Sequence, residues 1–221
     1  MFQKLPNWIQ FGAFLLAMNA GMINTMGLLT TLHQSISHMT GNVSFFALAL
    51  AQFDYDLMLF LVLIIVCFVL GSFYSGFILG NGHLKLGRRY GTPLSLVSIF
   101  LLLCWLFLPY FPRYALLWAA AAMGIQNAMV SHYRGAIIRT THLSGVLTDI
   151  GLAFGYMLRG LKVDARRLLL HFLILIGFAC GGLIAIVLYH FFATDAFLAP
   201  FILTSLVSIL YWYLYFQHLN E

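Results

Sequence analysis

The run from Leu57 to Gly80 contains no charged residue, and neither do Thr92 to Leu108, Leu168 to Phe192 or Phe197 to Gln217. A bilayer-spanning helix needs about 20 mostly apolar residues, with a working range of roughly 17 to 25. Each of the four runs meets that requirement. Over the whole chain only 8% of residues are charged. Soluble domains carry about 25%, so this chain lacks the polar surface to cover itself in water. The expected class is an all-α membrane protein. The 221 residues are read as one transmembrane domain. No cleavable leader is expected, because the first apolar stretch starts at Trp8 and runs on too far. The formal charge of +5 is assigned to loops that set orientation rather than to nucleic-acid binding. Cys67, Cys104 and Cys180 lie inside apolar runs without metal-ligand spacing and are read as packing residues. No phosphate-cradling motif is present, so no cofactor and no metal are expected.

Two regions are harder. Asn7 to Gln52 and Ala115 to Leu158 are each about twice the length of one span, and each is interrupted by polar residues, His33-Gln34-Ser35 and His132-Tyr133-Arg134. Lys4, Lys85, Arg88 and Arg89, and the segment Arg159 to Arg167 mark cytoplasmic ends, whereas Asp54, Asp56 and Asp195 mark the opposite side. Following the chain between these marks requires an odd number of crossings in each long region, and three do not fit. Each region therefore crosses once and leaves an apolar piece, near His38 to Gln52 and Ile138 to Leu158, as a re-entrant or broken half-helix. Irregular backbone at that depth survives only where protein or a water-filled cavity satisfies its polar groups. The expectation is six transmembrane helices with both termini inside; eight crossings without half-helices is the rival.

The two long regions resemble each other. Gly21-Met22-Ile23-Asn24 matches Gly124-Ile125-Gln126-Asn127, His38-Met39-Thr40-Gly41 matches His142-Leu143-Ser144-Gly145, and Ser44 matches Thr148. Each is followed by a helix with closely spaced small residues, Gly71, Ser72, Ser75 and Gly76 or Gly177, Gly181 and Gly182, which let membrane helices approach closely. Each half then ends on a helix opening near proline, Thr92-Pro93 or Pro200. Ser95-Leu96-Val97-Ser98-Ile99 recurs as Ser205-Leu206-Val207-Ser208-Ile209, a weak match alone in apolar sequence. Three crossings per half is odd, so the reading is an inverted 3+3 repeat, residues about 7–108 and about 115–217. Inverted repeats with interrupted helices at corresponding positions point to a transporter site at the midplane.

His38 to Asn42 (HMTGN) and Met123 to Gly151 resemble the YoaK-like proteins, bacterial inner-membrane proteins grouped as a domain of unknown function. The resemblance covers essentially the whole chain and implies a six-helix inner-membrane protein with transporter-like character and no assigned substrate. That family often has an acid near the position of Asn24, where this chain has an amide.

The expected site holds Asn24, His38, Thr40, Gly41, Asn127, Arg139, His142, Ser144, Gly145 and Asp149. Glycine permits an unusual turn and close ligand approach. Thr40 and Ser144 suit the capping of the half-helices, and the histidines titrate near neutral pH. Asp149 is an acid inside an apolar segment, a functional candidate by default; the plainer reading is an ion pair with Arg139 or Arg134. Arg139 is equally readable as a snorkelling interfacial residue. Asn24, Gln126 and Asn127 either line the site or hydrogen-bond between helices. His171 and His190 are read as interfacial. The leading expectation is a secondary transporter or facilitator for a small polar solute in the lipid bilayer, not an enzyme, with a homodimer as a plausible assembly. The alternatives are a membrane-embedded enzyme using His38, His142 and Asp149, and a passive channel.

Overall fold

The computed structural model describes residues 7–30, 32–80, 88–131 and 140–219. Among them the order is α1 (Asn7–Leu29), α2 (Met39–Ala51), α3 (Tyr55–Leu79), α4 (Arg88–Phe107), α5 (Pro112–Ser131), α6 (Leu143–Leu158), α7 (Ala165–Phe192) and α8 (Leu198–Leu219). A short 3-10 turn, Ala193–Phe197, joins α7 to α8, and the described residues contain no strand. Helix is the fitting answer to this sequence, since a continuous helix satisfies its own backbone polar groups where water is absent. Four stretches are long and apolar enough to cross a bilayer: Gln10–Leu29, Tyr55–Leu79, Tyr90–Phe107 and Ala165–Gln217, the last covering both α7 and α8. Large side chains such as Phe73, Phe77, Leu183, Phe191 and Ile209 stand exposed on the outer faces, as lipid-facing residues do.

Each over-long apolar region is a long helix followed by a short one. α2 has 13 residues and α6 has 16, so they reach about 20–24 Å, short of a hydrocarbon core of about 30 Å. The polar residues His132, Tyr133 and Arg134 lie outside the described residues, as do Lys4, Lys85 and Arg139. Two acids cap helices: Asp54 Oδ1 accepts from the Leu57 N–H at 3.0 Å at the start of α3, and Asp164 Oδ1 accepts from the Arg166 and Arg167 N–H groups at the start of α7. Pro93 departs from expectation. It sits inside α4, which already begins at Arg88. Its fixed φ suits helix, but it forfeits the bond to the carbonyl one turn back and its ring crowds that carbonyl.

α1 packs along α7, α3 along α5, and α4 against both α5 and α8, while α2 leans on α3 and α6 on α7. The closest approaches come in matched pairs. A Cβ on Gly21 would overlap the Phe178 carbonyl oxygen, and one on Gly181 the Met18 carbonyl oxygen. At the α3–α5 contact, Gly124 lies against the Phe68 carbonyl and Gly71 against that of Ala121. Backbone thus meets backbone at both crossings, which only glycine allows. Gly76, in the same series of small residues, meets nothing.

α4 and α8 join through serines. Ser95 and Ser208 hydroxyls are 2.9 Å apart, and those of Ser98 and Ser205 are 2.6 Å apart. The serine at the first position of each recurring pentapeptide therefore meets the serine at the fourth position of the other, so a match that is weak as sequence is a reciprocal contact in the fold.

Two side-chain contacts show which helix ends lie together. Arg113 Nη1 and Asp56 Oδ2 pair at 3.1 Å, tying the start of α5 to the start of α3. Trp105 Nε1 donates to Asp195 Oδ1 at 3.0 Å, tying the end of α4 to the turn after α7. These turns therefore share one end. α7 has 28 residues, about 40 Å, so Arg166 and Arg167 at its start lie at the other end from Asp195.

Candidate functional site

Beyond Leu29 the chain turns back along α1. Thr30 Oγ1 donates to the Gly27 carbonyl at 2.7 Å, and His33 takes a left-handed backbone (φ 47°), its ring Nδ1 donating to the Leu28 carbonyl at 2.9 Å. The returning strand of loop is then held by one residue. Asn24 Nδ2 donates to Ser37 Oγ at 2.6 Å, while Asn24 Oδ1 accepts from the Ser37 N–H at 2.8 Å and from Ser35 Oγ at 2.7 Å. Asn127 makes the corresponding contact in the second half: its Nδ2 donates to Thr141 Oγ1, and its Oδ1 accepts from Thr140 Oγ1 at 3.3 Å. Each asparagine fixes the residue immediately before a motif histidine.

The half-helices begin at those histidines. His38 and His142 are the N-caps of α2 and α6, with nearly the same backbone angles, φ −86° and ψ 69° against φ −94° and ψ 64°. This corrects the expected capping by Thr40 and Ser144, which stand one residue further into their helices than the first helical position. Their carbonyls instead accept from Ser44 Oγ at 3.1 Å and Thr148 Oγ1 at 2.9 Å, one turn on. Neither histidine side chain caps its helix, so the first-turn N–H groups have no side-chain partner of that kind. The glycines also act differently from expectation. Gly41 and Gly145 are not in the left-handed region; a Cβ on either would overlap the ring of His38 or His142 respectively. Glycine here lets each imidazole fold over the first turn of its own helix.

Both half-helix starts open on one cavity of about 610 Å³. Asn24, Ser37, His38 and Thr40 line it from the first half, and Asn127, Thr141, His142 and Ser144 from the second. Phe68 and Phe178 line it as well, each three residues before a crossing glycine, Gly71 or Gly181. Ser37, Thr141 and the two phenylalanines were not among the residues singled out from sequence. The available signal was a hydroxyl residue directly before each motif histidine. Gln126 is excluded from the lining. It is buried and committed to structure, accepting from Asn19 Nδ2 at 2.9 Å and donating to the Leu16 carbonyl at 2.9 Å.

Asp149 is not brought to this cavity. It faces α7, where its Oδ2 lies 3.2 Å from Arg167 Nη2 and 3.4 Å from His171 Nε2. That cluster lines a separate hollow of about 390 Å³ together with Lys162, Asp164 and Tyr156. The partners seen are Arg167 and a buried His171; the expected Arg139 and Arg134 both lie outside the described residues. Among the described residues no group of three His, Cys, Asp or Glu side chains is placed to hold a metal ion.

The family described as "Protein of unknown function (DUF1275)" matches residues 12–210, and the chain belongs to that family. Neither the curated proteins nor the solved structures gave a match.

Proposed function

We infer that this member of the family is a bilayer-embedded carrier or facilitator for a small polar solute, held in the cavity between His38 and His142. One observation carries the reading: two short helices from different halves of the chain start at the same cavity. Broken helices whose ends meet at a shared site are how carriers place polar backbone groups at depth. The paired contacts at Gly21 and Gly124, at Gly71 and Gly181, and between the serines of α4 and α8 support treating the halves as an inverted 3+3 repeat. In that arrangement α1 with α2, and α5 with α6, each make one interrupted crossing, giving six in total. The basic end with Arg159, Lys162, Arg166 and Arg167 is then cytoplasmic and carries both termini. The resemblance of the two motif segments to the YoaK-like proteins favours a bacterial inner membrane.

The cavity volume suits a small molecule, and its lining mixes hydroxyls, amides and imidazoles with two phenyl rings. Rocking of one half against the other would expose it to each side in turn. The enzyme reading has less support, because Asp149 is engaged by Arg167 and His171 away from the histidines. Uptake into proteoliposomes tests the proposal. Saturable uptake of a small polar solute that Thr40→Trp abolishes, with the variant still folded, is the expected result. Flux that does not saturate indicates a channel. Saturable uptake unaffected by Thr40→Trp places the path elsewhere.

A further inference from the structure

Resting on that reading, we propose that the solute is a small anion with a carboxylate or similar oxyanion head, held between the Ser37 and Thr141 hydroxyls. The bonding around those hydroxyls gives the charge. A hydroxyl has one proton to donate and lone pairs to accept with. Ser37 Oγ accepts from Asn24 Nδ2, and Thr141 Oγ1 accepts from Asn127 Nδ2. Each oxygen is thereby used as an acceptor, and its O–H has no acceptor among the described residues. Ser37 is only 6% exposed and lines the cavity, so an acceptor entering the cavity meets a buried donor that is otherwise unspent.

The rest of the lining points the same way. The half-helix starts add first-turn N–H groups without a side-chain cap and the partial positive charge of two helix N-termini, about half a charge each. Negatively charged acceptors are missing from the described lining. Asn24 Oδ1 already takes two hydrogen bonds, and no Asp or Glu is among the described lining residues. The acid on α6, Asp149, is turned to Arg167 and His171. A cation would find no carboxylate partner among the described lining residues, and a neutral polyol would leave the partial positive charge of the two helix starts without a counter-charge. A small oxyanion matches both the unspent O–H donors and the helix starts.

The test compares labelled lactate, inorganic phosphate, glycerol and choline in proteoliposomes of the full chain at neutral pH. Saturable uptake of lactate or phosphate, with glycerol and choline at the level of empty vesicles, is expected. Ser37→Ala and Thr141→Val should each lower anion uptake about tenfold, the loss of one hydrogen bond to a charged group. Gly151→Ala, outside this lining and with nothing near its missing Cβ, should not change the preference among probes. If Ser37→Ala does not fold, the ranking of the four probes on the unaltered protein decides. Uptake of glycerol or choline with exclusion of both anions overturns the anion assignment and leaves the carrier reading standing. Entry of none of the four overturns both.

Discussion

Asn24 grips Ser37 in both directions, donating to its hydroxyl at 2.6 Å and accepting from its backbone N–H at 2.8 Å. The same amide side chain therefore orients a hydroxyl toward the cavity and satisfies a buried backbone donor where the chain leaves regular helix. Asn24→Ala removes both functions and leaves the Ser37 N–H unpaired, at a cost of about 1–3 kcal/mol. Thermal unfolding in detergent should show the loss, and uptake should fall with it. Asn24→Asp keeps both acceptor positions but sets a buried carboxylate oxygen against the Ala20 carbonyl, to which Asn24 Nδ2 donates at 3.0 Å, and should depress anion uptake strongly by placing negative charge in the cavity. Unfolding of Asn24→Ala at the temperature of the unaltered protein would mean that the acceptor bonds contribute nothing.

Gly41 and Gly145 separate stability from function. Both are helical positions, where alanine is favoured over glycine by about 1 kcal/mol, yet a Cβ displaces the ring of His38 or His142. The imidazole is a movable side chain, so Gly41→Ala and Gly145→Ala should leave the unfolding temperature within a few degrees while reducing uptake. Unchanged uptake in both variants would mean that the placement of the rings does not matter.

Much of this was legible in the sequence, and the reasons are specific. The repeated His-x-[Ser/Thr]-Gly motif and the Asn24–Asn127 correspondence could be read because polar residues stand out in apolar surroundings. Ser37 and Thr141 could not be ranked, since what distinguishes them is which lone pair an asparagine occupies. An acid in an apolar segment reads as functional by default, which brings Asp149 into the expected site. Its side chain is directed by the face of α6 it occupies, toward α7 rather than toward the cavity, and a sequence with partners 18 residues away does not display that. Proline tolerates first turns, so Pro93 reads as a helix start; tertiary packing of Tyr90 and Leu94 with Leu16, Leu79 and Met129 accompanies a helix that begins one turn earlier.

The glycine crossings predict a sharp contrast. Gly21→Val and Gly124→Val each push a side chain into a facing backbone carbonyl, which has no room to move, and should destabilise by about 1–3 kcal/mol or more. Gly151→Ala, in α6 with nothing near its missing Cβ, should be neutral or stabilising by up to about 1 kcal/mol. Thermal unfolding of the three variants side by side checks this, and similar behaviour of Gly151→Ala and Gly21→Val would contradict the packing described.

Asp149→Asn should weaken the tie between α6 and α7. The pair with Arg167 is partly exposed, with 58% and 38% of the side chains accessible, so the loss is less than about 1 kcal/mol. Because Asp149 lies outside the cavity lining, the concentration of solute giving half-maximal uptake should stay within about twofold, a shift of under half a kcal/mol. A tenfold change in that concentration with unaltered stability would bring Asp149 into the solute site.

If one cavity, between two half-helix starts, holds the solute, a structure of the full chain in lipid nanodiscs with saturating lactate will show it. Density for the anion is expected within hydrogen-bonding reach of Ser37 Oγ and Thr141 Oγ1, between the His38 and His142 turns. An empty central cavity, with lactate bound instead beside Asp149 and Arg167 or nowhere on the protein, would contradict it.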